Sequence, residues 1–329
     1  MKASSIITAV FPQLSFAAAV LARNSTACTD PAVRVEWRTL TTVERAEYIT
    51  AVKCLATKPS ILGLNSTLYD DFPWVHSQLN LDIHFVAQFL PWHRVFLQQY
   101  ENALRSACGY SGLMPYWDWT QDAYRLPYSP LLDPSPNATA FSFGGNGAGE
   151  CGFVPPTRPN PLLCCITSGP FVDLRPKYFN NYEQPHCLNR FFSNITQNDG
   201  WNGQAYAPEM IANITANNTK FETFWQALES TPHGAVHGSL GGDMVPQTSP
   251  NDPLFFMHHA QVDRLWWLWQ QADPTARILD YSGNKFAAYT GDDTRASLDD
   301  IMTFKGLNPN ITVQSAMSTD SSDLCYRYA

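Results

Sequence analysis

The sequence predicts a mainly α-helical fold, in which a central four-helix bundle is surrounded by long, disulfide-stapled loops and few short strands. Four segments place apolar residues at every third or fourth position, which is the spacing of a buried helix face. Between residues 126 and 204 this spacing is largely absent, and Pro, Gly, Asn and Ser predominate, as they do in loops. Eight cysteines could form disulfides that keep such loops in place.

The four predicted helices span residues 42–58, about 92–108, 221–229 and 254–271. Pro91 suits the first turn of the second helix, because proline is tolerated where no N–H is needed. These four helices are expected to carry the histidines and to pack together as a bundle. A chain of 329 residues is near the upper size for one hydrophobic core, so we expect one large domain.

Composition excludes two classes of partner. The formal net charge is −8 and no run rich in Lys and Arg occurs, whereas nucleic acids bind to concentrated basic surfaces. The same acidic balance argues against an anionic membrane surface. We therefore expect no nucleic-acid and no membrane partner, and the sequence makes no prediction of the oligomeric state.

The first 22 residues have the pattern of a signal peptide. Lys2 precedes two short apolar stretches, and Ala22 suits the cleavage site. A membrane anchor is the alternative, but Pro12 and Gln13 interrupt an apolar run that is already short for a bilayer. We therefore expect residues 1–22 to be removed and the protein to be secreted to the extracellular space.

Glycosylation motifs and cysteines agree with export. Seven Asn-x-Ser/Thr sequons could carry glycans, and they begin at Asn24, Asn65, Asn137, Asn194, Asn213, Asn217 and Asn310. All eight cysteines follow residue 22, as expected for an oxidising compartment. The predicted disulfides join Cys28 to Cys325, and the adjacent Cys164 and Cys165 to Cys151 and Cys187 in an order left open. A cysteine-bound zinc site is the alternative, but the chain has no Cys-x-x-Cys pair.

Seven of the eight histidines fall into two groups along the chain, which are His76, His84 and His93, and then His233, His237, His258 and His259. His233 and His237 are four residues apart, so on a helix both imidazoles leave one face and can bind one metal ion. His258 and His259 follow an apolar run, which places at least one imidazole in the core. Imidazole-only sites suit copper, zinc and nickel, whereas paired iron in helical bundles also takes glutamate ligands. Because neutral ligands favour reduced copper, we expect two copper ions as the cofactor.

Two stretches resemble the copper motifs of the tyrosinase and catechol oxidase family, in its short secreted fungal form. The first comprises residues 71–76 (Asp-Phe-Pro-Trp-Val-His), 83–85 (Ile-His-Phe) and 89–94 (Phe-Leu-Pro-Trp-His-Arg). The second comprises residues 232–237 (Pro-His-Gly-Ala-Val-His), 241–244 (Gly-Gly-Asp-Met) and 249–259 (Ser-Pro-Asn-Asp-Pro-Leu-Phe-Phe-Met-His-His). Residues 115–119 (Pro-Tyr-Trp-Asp-Trp) and 263–266 (Asp-Arg-Leu-Trp) match as well, so the resemblance covers most of the chain.

The resemblance implies a dicopper site in the helix bundle. It implies that His76, His84 and His93 bind one copper ion, and that His233, His237 and His259 bind the other. His258 would then be a packed or hydrogen-bonded neighbour of the ligands. Asp252 and Asp263 are candidates to orient the imidazoles.

The resemblance also implies a domain organisation. Residues 23–329 would form one tyrosinase-like catalytic domain, and no shielding C-terminal domain is expected. The chain ends with the Tyr-x-Tyr element of Tyr326 and Tyr328, which should pack against Arg34.

The implied reaction is the oxidation of ortho-diphenols to ortho-quinones, with small phenols and O₂ as the only expected partners. Glu229 matches a glutamate that holds a water molecule near the second copper ion, and we expect it to act in catalysis. Related enzymes that hydroxylate monophenols commonly have an Asn at the position of Gly234, so its absence favours catechols. Gly238 would widen the substrate pocket, and Val245 or Pro246 would overhang the copper ions.

Three other functions stay open on this evidence. One is a tyrosinase with true monophenol hydroxylation, or an enzyme that oxidises ortho-aminophenols. Another is an oxygen-binding protein without enzymatic activity, which the small residues Gly234 and Gly238 disfavour. The third is a copper-free binding glycoprotein, which the complete set of six histidines disfavours.

Overall fold

The fold is mainly α-helical, as predicted. A computed structural model describes residues 28–135, 141–152, 163–193 and 203–329, so the predicted signal peptide and the sequons at Asn24, Asn137 and Asn194 lie outside the described residues. The helices are α1 (Thr42–Leu55), α2 (Leu68–Ile83), α3 (Phe89–Cys108), α4 (Pro208–Asn217), α5 (Phe221–Leu228), α6 (Gly234–Leu240), α7 (Leu254–Ala272) and α8 (Pro274–Arg277). In the described part of the chain, none of them combines the length and apolar composition needed to cross a membrane.

Caps define the ends of the first three helices. At α1, the hydroxyl of Thr41 accepts from the Glu44 N–H and the Glu44 carboxylate accepts from the Thr41 N–H, which is a capping box. Thr67 and Asp70 form the same reciprocal pair at the start of α2. α3 ends at Gly109, whose φ of 68° is a left-handed conformation that glycine adopts without strain.

The four predicted helices correspond to α1, α3, α5 and α7, with ends that differ by a few residues. The expectation that these four carry the histidines was wrong, because α1 and α5 contain none. Among the helices that the sequence analysis did not predict, α2 carries His76 and contains Pro73. Proline lacks the N–H of an interior helical residue, so its presence argued against a helix.

One π-helical turn, Glu229–His233, connects α5 to α6 without a break in the helix. Pro232 lies inside this turn, where it donates no hydrogen bond. Single π turns occur often at functional sites, because they interrupt the regular ladder of backbone bonds. The turn ends at His233, so one of the predicted ligands lies at the junction of the two helices.

Aromatic packing fixes the helices that carry the histidines, which are α2, α3, α7 and the unit of the π turn with α6. The ring of Tyr100 on α3 stacks on that of Phe256 on α7, with centroids 3.4 Å apart. Phe72 on α2 meets the Phe256 ring edge-on, at 5.7 Å. Such buried pairs contribute about 0.5–1.5 kcal/mol each beyond the burial of their area. The histidines therefore project from a rigid bundle.

The strands pair only locally, in two-stranded sheets of the described residues. The pairs are β1 (Ala32–Arg34) with β8 (Tyr326–Tyr328), β2 (Gly147–Gly152) with β3 (Leu163–Ile166), β4 (Tyr178–Phe179) with β5 (Tyr182–Glu183), and β6 (Ile301–Met302) with β7 (Ile311–Thr312). Only β1 and β8 run parallel, which aligns Arg34 with Tyr328. The Arg34 guanidinium lies 3.6 Å from the centroid of the Tyr326 ring. This confirms that the Tyr-x-Tyr element packs against Arg34.

Disulfides join the ends of the described chain and staple its loops. The bridge Cys28–Cys325 confirms the predicted pairing, and Cys165–Cys187 is one of the pairings that the sequence left open. Cys164 is disulfide-bonded as well. A third bridge, Cys54–Cys108, joins the end of α1 to the end of α3 and was not predicted.

Candidate metal centre

The helices bring seven histidines together in two neighbouring clusters. Cluster A consists of His76 on α2, His84 at the end of α2 and His93 on α3, and cluster B of His233, His237, His258 and His259 on the π turn, α6 and α7. Within each cluster the candidate ligand atoms lie within 4.8 Å of one another. The rings of His93 and His259 stack across the two clusters, with centroids 4.4 Å apart. The predicted ligands thus form two adjacent groups.

In each cluster one pair of nitrogens has the spacing that a shared metal ion requires. His76 Nε2 and His93 Nε2 are 3.4 Å apart, and so are His237 Nε2 and His259 Nε2. Two imidazole nitrogens that each lie about 2.0–2.1 Å from one tetrahedral metal ion are about 3.3–3.4 Å apart. In addition, His233 Nε2 is buried and has no hydrogen-bond partner among the described residues, which coordination would satisfy. The residues of both clusters therefore fit a pair of metal ions.

Backbone carbonyls fix the other ring nitrogen of five imidazoles. Each Nδ1 donates to one carbonyl oxygen: His76 to Gln247 (2.7 Å), His84 to Asn80 (3.0 Å), His93 to Phe89 (2.8 Å), His233 to Glu229 (3.1 Å) and His237 to Met244 (2.5 Å). A carbonyl oxygen can only accept, so the proton of the neutral ring is on Nδ1. Nε2 then keeps its lone pair for a metal ion.

All seven imidazoles are neutral at physiological pH. Burial lowers the pKa of His84 and of His237 to about 4. Burial, together with the neighbouring imidazoles, also lowers the pKa of the other five well below its usual value, and these are His76, His93, His233, His258 and His259. A metal ion binds only neutral imidazole, so no proton has to leave before coordination.

A comparison with known families shows which family the chain belongs to. The family model described as the common central domain of tyrosinase matches residues 66–272, which include both clusters. The chain belongs to the tyrosinase family. It is 40% identical over 305 residues to the tyrosinase-like protein phomQ2 of Diaporthe leptostromiformis, with 92% of this chain and 74% of that protein covered. It is 39% identical over 305 residues to the tyrosinase ustQ of Aspergillus flavus, with 92% and 80% covered.

Solved structures show the same tyrosinase-type fold. A mutant form of a polyphenol oxidase of Thermothelomyces thermophila matches with a TM-score of 0.74 and 29% identity over 91% of this chain and 89% of that one. A functional unit of octopus haemocyanin shares the fold alone, with a TM-score of 0.52 and 20% identity over 90% and 68% of the two chains. The tyrosinase family uses a dicopper centre, and clusters A and B provide histidines that could bind it.

Glu229 connects the two halves of the tyrosinase site. Its Oε1 accepts from the Phe85 N–H at 2.8 Å, and Oε2 is buried without a partner among the described residues. Burial raises the pKa of Glu229 to about 8, although the bond from Phe85 opposes the shift. Phe85 follows His84 in a left-handed conformation, with φ 57°, and Asn284 Nδ2 donates to its carbonyl at 2.9 Å. The carboxylate therefore lies between cluster B and the residue next to cluster A.

His84 and His237 are partly exposed, whereas the other five clustered histidines are buried. Solvent therefore reaches the site at these two rings, which we call its mouth. Gly234 and Gly238 on α6 are exposed. A Cβ at Gly234 would have only the Glu229 carbonyl oxygen within 4 Å, at 3.5 Å. A Cβ at Gly238 would have no neighbour within 4 Å. Both glycines therefore have room for a side chain, and their place in a substrate pocket stays a prediction.

The segment with Val245 and Pro246 passes across both clusters. The carbonyl oxygen of Met244 accepts from His237 in cluster B, and that of Gln247 accepts from His76 in cluster A. Val245 lies between these two contacts and is 60% exposed, and Pro246 is half-buried. The two side chains are thus placed near the mouth, and their role in overhanging the copper ions stays a prediction.

His258 and His259 are both buried within cluster B. Neither ring nitrogen of His258 has a hydrogen-bond partner among the described residues, and His259 Nδ1 has none either. His259 is distinguished by its Nε2, which lies 3.4 Å from that of His237. The assignment of His259 as a ligand and His258 as its neighbour stays a prediction.

Two predicted orienting carboxylates make other contacts. Asp252 accepts from Arg190 through both oxygens, at 2.7 and 2.9 Å. Asp263 accepts from Arg94 at 2.6 Å and from both hydroxyls of the Tyr-x-Tyr element. Among the described residues neither carboxylate accepts from an imidazole, and five imidazoles donate to the backbone carbonyls given above. An orienting role for the two carboxylates stays a prediction. A buried carboxylate needs a buried cation, and each Asp is paired with one.

His186 lies outside both clusters. Its Nε2 donates to Asp243 Oδ1 at 2.8 Å and its Nδ1 to the Gln184 carbonyl at 2.7 Å. Glu183 precedes it at the Glu-x-x-His spacing of a carboxylate-bridged metal site, but the Glu183 carboxylate pairs with Lys177 at 2.7 Å. His186 therefore has a structural contact rather than a place in the metal centre.

Proposed function

We propose that this chain is a polyphenol oxidase that oxidises ortho-diphenols to ortho-quinones with O₂ at two copper ions. The observation that carries the proposal is the pair of Nε2 atoms 3.4 Å apart in each of two adjacent, neutral histidine clusters. The ligands would be His76, His84 and His93 for one ion, and His233, His237 and His259 for the other. Imidazole suits copper, and the family uses a dicopper centre.

The protein contributes preorganised ligands and an open approach. When bound, the two copper ions supply the redox chemistry, by which two catechols and one O₂ give two ortho-quinones and two water molecules. The chain provides imidazoles whose Nδ1–H groups are already fixed by backbone carbonyls, so their Nε2 lone pairs need no reorientation. The space at Gly234 and Gly238 admits a small phenol to the exposed edges of His84 and His237.

The residues near the mouth favour catechols over monophenols. One oxygen of Glu229 accepts from Phe85, which leaves the other oxygen to hold a water molecule. Gly234 has no amide that could orient this water, so a monophenol has less help in losing its proton. A catechol is already hydroxylated and requires only the removal of two electrons and two protons. We therefore propose weak or absent monophenol hydroxylation.

We also propose that the protein is secreted and glycosylated. Disulfides such as Cys28–Cys325 and Cys54–Cys108 persist in oxidising compartments. The four sequons within the described residues, at Asn65, Asn213, Asn217 and Asn310, are all exposed and so accessible to a glycan. Mass spectrometry of the secreted protein before and after glycosidase treatment tests this, and a mature chain that retained residues 1–22 would contradict it.

Oxygen uptake tests the catalytic proposal. Copper-loaded protein should consume O₂ rapidly with a catechol and slowly or not at all with the matching monophenol, and an ortho-aminophenol tests the other candidate substrate. Protein that holds two copper ions and binds O₂ reversibly without turnover would be an oxygen carrier instead. Protein that binds no copper would refute the dicopper proposal altogether.

A further inference from the structure

Two kinds of support orient the histidines of the clusters. His84, His93 and His233 each donate from Nδ1 to a carbonyl four residues earlier, in or beside their own helix. His76 and His237 instead donate to a separate stretch, Met244–Gln247, which we call the bridging segment. Through its first and last carbonyls this segment contacts one histidine of each cluster. The orientation of these two imidazoles thus depends on where the bridging segment lies.

The near end of the bridging segment is fixed by buried groups. Met244 is buried, and its neighbour Asp243 accepts from the backbone N–H and the side-chain amide of Asn189, at 2.9 and 2.6 Å. Gly241 turns the chain with φ 61° and ψ −157°, a conformation essentially restricted to glycine. A Cβ there would lie 2.1 Å from the Phe191 carbonyl oxygen, so no other residue fits.

The far end depends on Asn180, which lies at the turn between β4 and β5. Asn180 Oδ1 accepts from the Gln247 N–H at 3.1 Å, and the Asn180 N–H donates to Thr248 Oγ1 at 3.2 Å. Asn180 adopts φ 51°, a left-handed conformation that Asn tolerates better than most residues. Its side chain therefore fixes the peptide whose carbonyl contacts His76.

We propose that Asn180 is a positioning residue that, through the Gln247 peptide, fixes the His76 imidazole of cluster A. Without the Asn180 amide, Gln247 loses the acceptor for its N–H and its peptide can rotate. The Gln247 carbonyl then leaves His76 Nδ1, whereas Met244, which accepts from His237, is held by the buried groups at the near end. This inference rests on the proposed binding of copper by clusters A and B.

Copper release tests the proposal, with three variants of the full protein. Asn180→Gly removes the amide and keeps the left-handed backbone accessible. Asn180→Asp retains an acceptor oxygen for the Gln247 N–H. Asn181→Ala is the matched control in the same turn, since among the described residues Asn181 Oδ1 accepts from the exposed Gln78 side chain, at 3.3 Å.

We expect a strong chelator to remove one copper ion, that of cluster A, about tenfold faster from Asn180→Gly, the lower end of what loss of an outer hydrogen-bond partner costs a metal site. Asn180→Asp should restore slow release, and Asn181→Ala should release copper as the unchanged protein does. Unchanged release from a folded Asn180→Gly protein, or equally faster release of both ions, would overturn the proposal.

A second measurement uses the metal-free protein, so it does not depend on copper binding. In ¹⁵N-histidine NMR spectra, the Nδ1–H of His76 should be visible because it is buried and donates to Gln247. It should exchange faster in Asn180→Gly, while the Nδ1–H of His93, bonded within its own helix, serves as the internal control. Equal exchange of the His76 proton in both proteins would refute the positioning role. Absence of copper binding by the unchanged protein would refute the proposed function alone.

Discussion

Gly234→Asn should convert this protein towards monophenol hydroxylation, and the structure shows that the substitution fits. Gly234 has φ −61° and ψ −34°, which is ordinary helical backbone. A Cβ there would meet only the Glu229 carbonyl oxygen, at the van der Waals distance of 3.5 Å. Asn is about 0.3 kcal/mol better than Gly inside a helix, so the melting temperature should change by about 1 °C or less. Any change in activity would then reflect chemistry rather than folding.

The expected gain follows from one added hydrogen bond. An amide that orients the water on Glu229 contributes about 1–1.5 kcal/mol in the transition state, which is about five- to tenfold in rate. The measurement is kcat/KM for a monophenol divided by that for the matching catechol, at full copper occupancy. Gly238→Asn is the matched control, because it adds the same side chain to α6 in open space. An unchanged ratio in Gly234→Asn, or an equal rise in both variants, would refute the role assigned to Gly234.

Two further predictions concern histidines. His259→Ala should retain about one copper ion per chain and lose catechol oxidation, whereas His258→Ala should retain two copper ions. Metal analysis of both variants measures this, and equal copper loss in the two would contradict the ligand assignment. Burial lowers the pKa of His186, but the charge and hydrogen bond of Asp243 outweigh it, so this pKa lies above the usual 6.5. The stability from this pair is therefore fully present below pH 6.5 and lost as the pH rises through the raised pKa. Denaturant unfolding between about pH 6 and 9 should show this decline, and His186→Gln should make it smaller, since the raised pKa of Glu229 contributes a separate decline up to about pH 8. An identical decline in that variant would exclude His186 as its source.

Four of the helices, α1, α3, α5 and α7, could be predicted from apolar periodicity. Helix α2 was missed because Pro73 contradicts helical propensity, although Thr67 and Asp70 in fact cap its start. That pair, spaced as a capping box, was the signal that could have revealed the helix. The π turn at Glu229–His233 has no comparable signature in the sequence, although Pro232 lies inside it.

Histidine spacing predicted which side chains meet, but the sequence could not show what orients them. The acceptors at Met244 and Gln247 are backbone carbonyls, and every residue has one. The path of the folded chain determines that these two carbonyls, and not others, contact the imidazoles. In the same way, the partner of Asp252 is Arg190, 62 residues earlier, and no local pattern connects them. Contacts of this kind are tertiary, so they become visible only in the folded chain.

Two requirements on α6 conflict: the entrance above it has to stay open, and the helix has to hold His237 in place. This helix has only seven residues, and each glycine in it costs about 1 kcal/mol relative to alanine. Long-range bonds offset that cost: Ser193 Oγ donates to the Gly238 carbonyl at 2.5 Å, and His237 donates to Met244 just beyond the helix. The position of His237 is therefore set by the surrounding loops more than by helical propensity. A side chain at either glycine would strengthen α6 but would narrow the approach to the proposed copper ligands, so we expect stability and substrate access to oppose each other at these two positions.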